Sequence, residues 1–179
     1  YKTSKPVNSR QLYNSFVKLF KDSGYSQESI LKELRYYAEI FGAFVYGSAK
    51  YSERINRLLY RLRVLNQTTC YPFLLHVFDD YHQGVIDEET VEKILQFILA
   101  YLLRRMVCGV PSNTLRGLFT YLYNRIFKVA SNKQKYYETL NKFLFTVSSK
   151  DVIPSAGEFE RALQKANIYG NNALCRFLL

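Results

Sequence analysis

From Asp87 to Gly109 the chain spells out one long helix that is apolar almost all the way round. Val91, Ile94, Leu95, Ile98, Leu99, Leu102 and Met106 recur at helical spacing, and Phe97, Ala100, Tyr101 and Val107 cover the other side. Asp87 is placed to cap its start, with Glu88, Glu89 and Glu92 complementing the positive end of the helix dipole. Gly109 ends the helix and Pro111 prevents its continuation. A helix with so little polar surface must be enclosed on most sides, so it belongs at the centre of its domain.

Amphipathic segments that could enclose it lie on both sides. Leu12, Phe16, Leu19 and Phe20 make a first helix, closed by Ser23 and Gly24. Ser26 can cap a second, with Ile30, Leu34, Tyr37, Phe41 and Phe44 as its apolar positions. A third, after Ser52, has a buried stripe of Ile55, Leu58, Leu59, Leu62 and Leu65. Pro72 suits the first turn of a fourth, from Tyr71 to about His82. Ser112 is read as the cap of the sixth, in which Leu115, Leu118, Phe119, Leu122, Ile126 and Phe127 face inward. A seventh spans about Gln134 to Val147. Ser155 and Glu158 make a capping box for the eighth, with Phe159, Ala162, Leu163 and Ala166 inward, and a ninth begins near Asn171. The expected fold is all-α, a bundle-like array of about nine helices with no significant sheet. Asp151 to Pro154 reads as a linker between a main helical domain, residues 1–150, and a C-terminal helical pair, residues 151–179.

Composition narrows the function classes. The chain is 48% hydrophobic and 22% charged, which supports a packed core and argues against disorder. Its three cysteines, Cys70, Cys108 and Cys175, are widely spaced and form no CxxC pair, so neither a disulfide framework nor a zinc site is expected. Reduced thiols among apolar neighbours point to an intracellular, cytoplasmic protein. The longest apolar run, Phe97 to Leu103, falls far short of the ~20 residues a membrane span needs. The missing initiator Met and the apolar end Phe177-Leu178-Leu179 predict a piece of a longer protein.

Catalytic patterns are missing. His76 and His82 stand six apart on one predicted helix, a spacing unlike HExxH zinc geometry. There is no Gly-rich phosphate loop and no GxSxG elbow, and no cysteine has a neighbouring histidine. The acidic pairs Asp79-Asp80 and Glu88-Glu89 sit at helix ends and read as capping, solvated groups. No catalytic residue, metal site or cofactor is expected from this segment.

The charge is more telling. A formal net charge of +10 favours acidic partners. Lys50, Arg54, Arg57 and Arg61, spaced by three and four, share one side of the third helix and could each meet a DNA phosphate. A solvated face with a Glu53–Arg57 pair is the alternative. At the foot of the long helix stand Arg104 and Arg105. Arg105 falls seven after Ile98, inside the apolar stripe, and needs a carboxylate or carbonyl; Asp79, Asp80 and Glu39 are candidates. Arg104 points away from the stripe.

Some residues also look familiar. Tyr71 to Leu75, the run Arg104-Arg105-Met106-Val107-Cys108-Gly109 and Thr114-Leu115 resemble the helical region of GmrSD-like proteins, bacterial ParB/Srx-like and HNH-containing defence nucleases. Phe159, Ala162, Leu163, Tyr169 and Arg176 to Leu179 resemble the approach to the HNH domain of that family. The resemblance covers most of the chain, from about Gln11 onward. It implies a non-catalytic helical scaffold in a modification-dependent restriction-type nuclease, joined to flanking domains and contacting DNA. The family's DGQQR and EHxxP-type motifs are absent here, so no catalytic residue carries over. Only Arg104, Arg105, Cys108 and Gly109 match a family motif. The alternative expectation is a helical protein-interaction or oligomerisation module with no nucleic-acid role.

Overall fold

The computed structural model describes residues 9–147 and 150–178. Among these the fold is all-α, with no strand and nine α-helices. They are α1 (Leu12–Ser23), α2 (Gln27–Tyr46), α3 (Glu53–Val64), α4 (Tyr71–His82), α5 (Glu88–Val107), α6 (Leu115–Phe127), α7 (Tyr136–Thr146), α8 (Ala156–Lys165) and α9 (Asn172–Leu178). Short 3-10 turns precede α1, α7 and α9.

The long apolar helix is the hub. α5 packs against α3, α4, α7, α8 and α9, while α6 lies across α4 and α7. Val91, Ile94, Leu95, Ile98 and Tyr101 are sealed from solvent. This is the enclosure its all-round apolar pattern demands. Its Asp87 cap accepts from the Thr90 N–H, and the Ser155–Glu158 capping box on α8 is complete.

The N-terminal helices depart from the expected packing. Leu12 is 61% exposed and Phe16 is also exposed, so α1 leaves part of its apolar face uncovered. On α2 the core starts at Ile40 and includes Ala43 and Phe44, while Leu34 and Phe41 stay largely exposed. Tyr37 and Phe44 face inward as expected, and Tyr36, Ile40 and Ala43 join them on the side that meets α3 and α4. On α8, Leu163 is exposed and no residue is fully buried. Ser112 does not cap α6: its backbone carbonyl takes the Leu115 N–H, and Thr114 stands at the N-cap without a side-chain bond. α7 is shorter than predicted because residues 130–135 form a 3-10 turn first.

The ends of α4 and α5 are built alike. After α5 the Gly109 N–H bonds the Met106 carbonyl and the Val110 N–H bonds the Arg105 carbonyl. Gly109 takes a φ of 64°, the left-handed conformation this paired closure needs. After α4 the Gly84 N–H bonds Tyr81 and the Val85 N–H bonds Asp80 in the same pattern. Each closure therefore falls on a charged residue, Arg105 or Asp80, and these are the two buried charged side chains among the described residues.

Candidate functional site

The double arginine acts as a clamp on the segment that reads as a linker. Arg105 is 2% exposed, and its partners are backbone carbonyls rather than Asp79, Asp80 or Glu39. One terminal nitrogen donates to Lys150 O at 2.9 Å and the other to Pro111 O at 2.9 Å. The planar guanidinium reaches the two carbonyls from two nitrogens held in a fixed fork, whereas an ammonium offers its three donors from a single atom. The Arg105 guanidinium also lies 5.5 Å from the Tyr101 ring centre, and Tyr101 donates to Asp151 O at 2.7 Å. Arg104 is half-buried rather than outward. It donates to Pro154 O at 3.2 Å and lies over the Phe159 ring. Cys108 is half-buried and caps α5. All four residues of the RRxxCG run thus serve helix closure and the docking of α8. They form no open anion site.

α4 carries two polar clusters that the sequence reading missed. Asp79 and Asp80 are not solvated helix-end groups. Asp80 is buried and accepts from Tyr123 Oη (2.8 Å), Tyr136 Oη (3.0 Å) and Lys133 Nζ (2.7 Å). Burial and the adjacent Asp80 charge push the Tyr136 hydroxyl well above its ordinary pKa, so it stays a donor. Asp79 accepts from Tyr36 and Tyr37, each at 3.0 Å, and from Gln83. Its neighbour His82 lies 3.2 Å from Tyr36 Oη through Nδ1 and 3.0 Å from Tyr51 Oη through Nε2.

These contacts fix a direction of hydrogen bonding. Tyr36 gives its single proton to Asp79, so its oxygen must accept from His82 Nδ1–H. Nε2 of the neutral ring then accepts from Tyr51. Burial lowers the His82 pKa and favours that neutral ring, while it pushes the Tyr51 hydroxyl up to about 12. Tyr51, His82 and Tyr36 of this chain line a cavity of about 130 Å³, below the usual size of an organic-ligand site. Cys70 is sealed in and its thiol is pushed up to about 12 by burial, which leaves it a poor nucleophile. No group of three His, Cys, Asp or Glu among the described residues could hold a metal ion, and no described helix is long and apolar enough to cross a membrane.

The predicted basic face is partly neutralised. Lys50 lies before α3, in the turn that follows α2, and pairs with Glu39 at 2.7 Å. Arg57 pairs with Glu53 at 2.7 Å, and Arg54 stands 3.9 Å from Glu92. The Lys50–Glu39 and Arg57–Glu53 pairs are exposed and weak, while in the long Arg54–Glu92 pair the carboxylate is half-buried. Arg61 is exposed and, among the described residues, has no carboxylate within salt-bridge distance. The unpaired charge gathers instead at the C-terminal end of α3. There Arg61, Arg63 and, from α9, Arg176 have no carboxylate partner among the described residues. An open groove of about 770 Å³ lies between α3 and α9, lined in part by Tyr60, Arg63, Asn66, Asn172 and Arg176. Sequence spacing along α3 could not place Arg176 there, because it comes from a helix more than a hundred residues away.

An all-α array with a cationic, aromatic-rimmed groove and buried polar clips is the class these features define. Comparison with known proteins gives no matching family model, curated protein or solved structure.

Proposed function

We infer that this chain is a non-catalytic helical scaffold that contacts nucleic-acid backbone, set within a larger restriction-type nuclease of the GmrSD-like kind. The observation that carries the DNA contact is the distribution of charge. Arg54, Arg57 and Arg61 project from the outward side of α3 and continue into the uncompensated end of that helix. Exposed carboxylate pairs such as Glu53–Arg57 exchange readily for phosphate, because each contributes little. The family part of the reading rests on the RRxxCG run and the tail residues. In that reading the run is a fold device: it closes α5 and fixes the approach to the next domain.

Anisotropy titration of a labelled DNA duplex across salt concentrations tests the contact. Three phosphate contacts give a log–log salt slope of about −3. Reversing Arg54, Arg57 and Arg61 to Glu abolishes it while the helical circular dichroism is retained. Absence of binding at low salt rejects the reading.

One observation favours the interaction-module alternative. Leu12, Tyr13, Leu31, Leu34 and Phe41 expose a run of apolar surface along α1 and α2. That reading requires self-association or partner capture that survives high salt, with no affinity for DNA.

A further inference from the structure

The groove between α3 and α9 lies at the C-terminal end of the α3 basic face. Its lining differs from that of the α3 face. Tyr60 is 58% exposed and offers a flat ring at the rim. The Arg63 guanidinium lies 5.6 Å from that ring and is fixed by a 3.0 Å bond from Nη1 to Phe44 O. Arg176 approaches from α9, and Asn66 and Asn172 add amide donors and acceptors. Among the described residues no carboxylate lines the groove.

A cluster of arginines in the last turn of a helix has an ordinary explanation in the helix dipole. It accounts for Arg61 and Arg63. It also accounts for Arg176, which stands in the last turn of α9, but not for two helix ends bringing their cations to the same opening. Nor does it account for an exposed ring between them. About 770 Å³ is within the range of small-molecule sites and accommodates one nucleotide. A flat ring, two cations and two amides are the groups that hold a nucleotide by its base face, phosphate and base edge.

We propose that the α3–α9 groove is a subsite for a single unstacked nucleotide of a nucleic-acid strand, with Tyr60 stacking on the base and Arg63 and Arg176 meeting its phosphates. The subsite rests on the nucleic-acid reading above and adds a preference that the α3 face alone does not give. On α3, Tyr60 lies about 60° around the helix from Arg57, so a strand tracking the arginines passes the mouth of the groove. A fully paired duplex keeps its bases stacked and leaves the groove empty. A strand with a bulge or a single-stranded end fills it.

The test uses one oligonucleotide containing 2-aminopurine, as a single strand, as a bulge and in a perfect duplex. The bulged and single-stranded forms bind more tightly than the duplex, and 2-aminopurine fluorescence is quenched on binding. Tyr60→Leu removes the quenching and weakens the bulged form about tenfold, leaving the duplex unchanged. Arg176→Gln, on an exposed side chain, weakens the bulged form without loss of helical circular dichroism. Reversal of Arg54, Arg57 and Arg61 weakens all three forms. Duplex binding with no bulge preference, or a bulge preference indifferent to both Tyr60→Leu and Arg176→Gln, overturns the subsite and leaves the α3 contact standing. Absence of binding to every form removes both.

Discussion

Replacing Asp80 with Ala removes the acceptor for three donors at once, and the structure sets the size of the loss. The Tyr136 hydroxyl is sealed in, so without Asp80 it becomes an unsatisfied buried donor, costing about 1–3 kcal/mol. Tyr123 is half-buried and the Lys133 side chain is 27% exposed, so both recover part of their loss from water. The missing carboxylate also leaves a small void between α4, α6 and α7. Together these give about 3–5 kcal/mol, the usual cost of breaking a buried pair from one side. In a chain of this size that lowers the melting temperature by roughly 10 °C. Chemical denaturation with a double-mutant cycle isolates the mechanism. Tyr136→Phe alone costs about 1 kcal/mol, whereas in the Asp80→Ala background it is neutral or stabilising because it deletes the orphan hydroxyl. An Asp80→Ala loss below about 1 kcal/mol, or additive costs for the two changes, refutes the reasoning.

Arg105→Lys keeps the charge but replaces two separate donor nitrogens by one, so it holds Lys150 O and Pro111 O less well and loosens the segment before α8 more than it destabilises the whole. Trypsin cleavage after the exposed Lys150 should quicken several-fold, while Arg104→Ala, which loses one carbonyl bond to Pro154, changes the rate less. His76, stacked on Tyr123, has its pKa lowered to about 4 by burial, against the opposing pull of Asp79 and Asp80. The unfolded chain therefore binds the extra proton first as pH falls. Stability from this group is complete above about pH 6.5 and is lost between there and pH 4, by about 3 kcal/mol. His76→Phe keeps the ring stack and removes that share of the acid slope; an unchanged slope counts against it.

The legible part of the candidate site was the part written along single helices. Arg105 falls in the α5 stripe because it follows Ile98 by seven, and it is buried as that phase requires. Asp80 follows Phe73 by seven on α4 and is buried by the same rule, although its place beside Asp79 near a helix end suggests a solvated group. The signal was present, and the phasing argument applied to one helix would have found it on the other. The partners had no such signal. Tyr123, Lys133 and Tyr136 lie 43 to 56 residues from Asp80, and the carbonyls that hold Arg105 include some 45 and 47 residues away. Backbone carbonyls carry no side-chain identity, so composition cannot nominate them as acceptors.

The sequence alone determined the helices, their closures and the identity of the central one. Those depend on local spacing, capping residues and glycines, whose effects reach only a turn or two. It also placed one charge, Arg105, in an apolar stripe. The tertiary structure decided what that charge bonds, which cations keep no carboxylate, and where Arg176 meets the end of α3. Such choices depend on which distant faces are brought together. Burial then raises the stakes, because a charge in phase with the core must find a partner wherever the packing puts one.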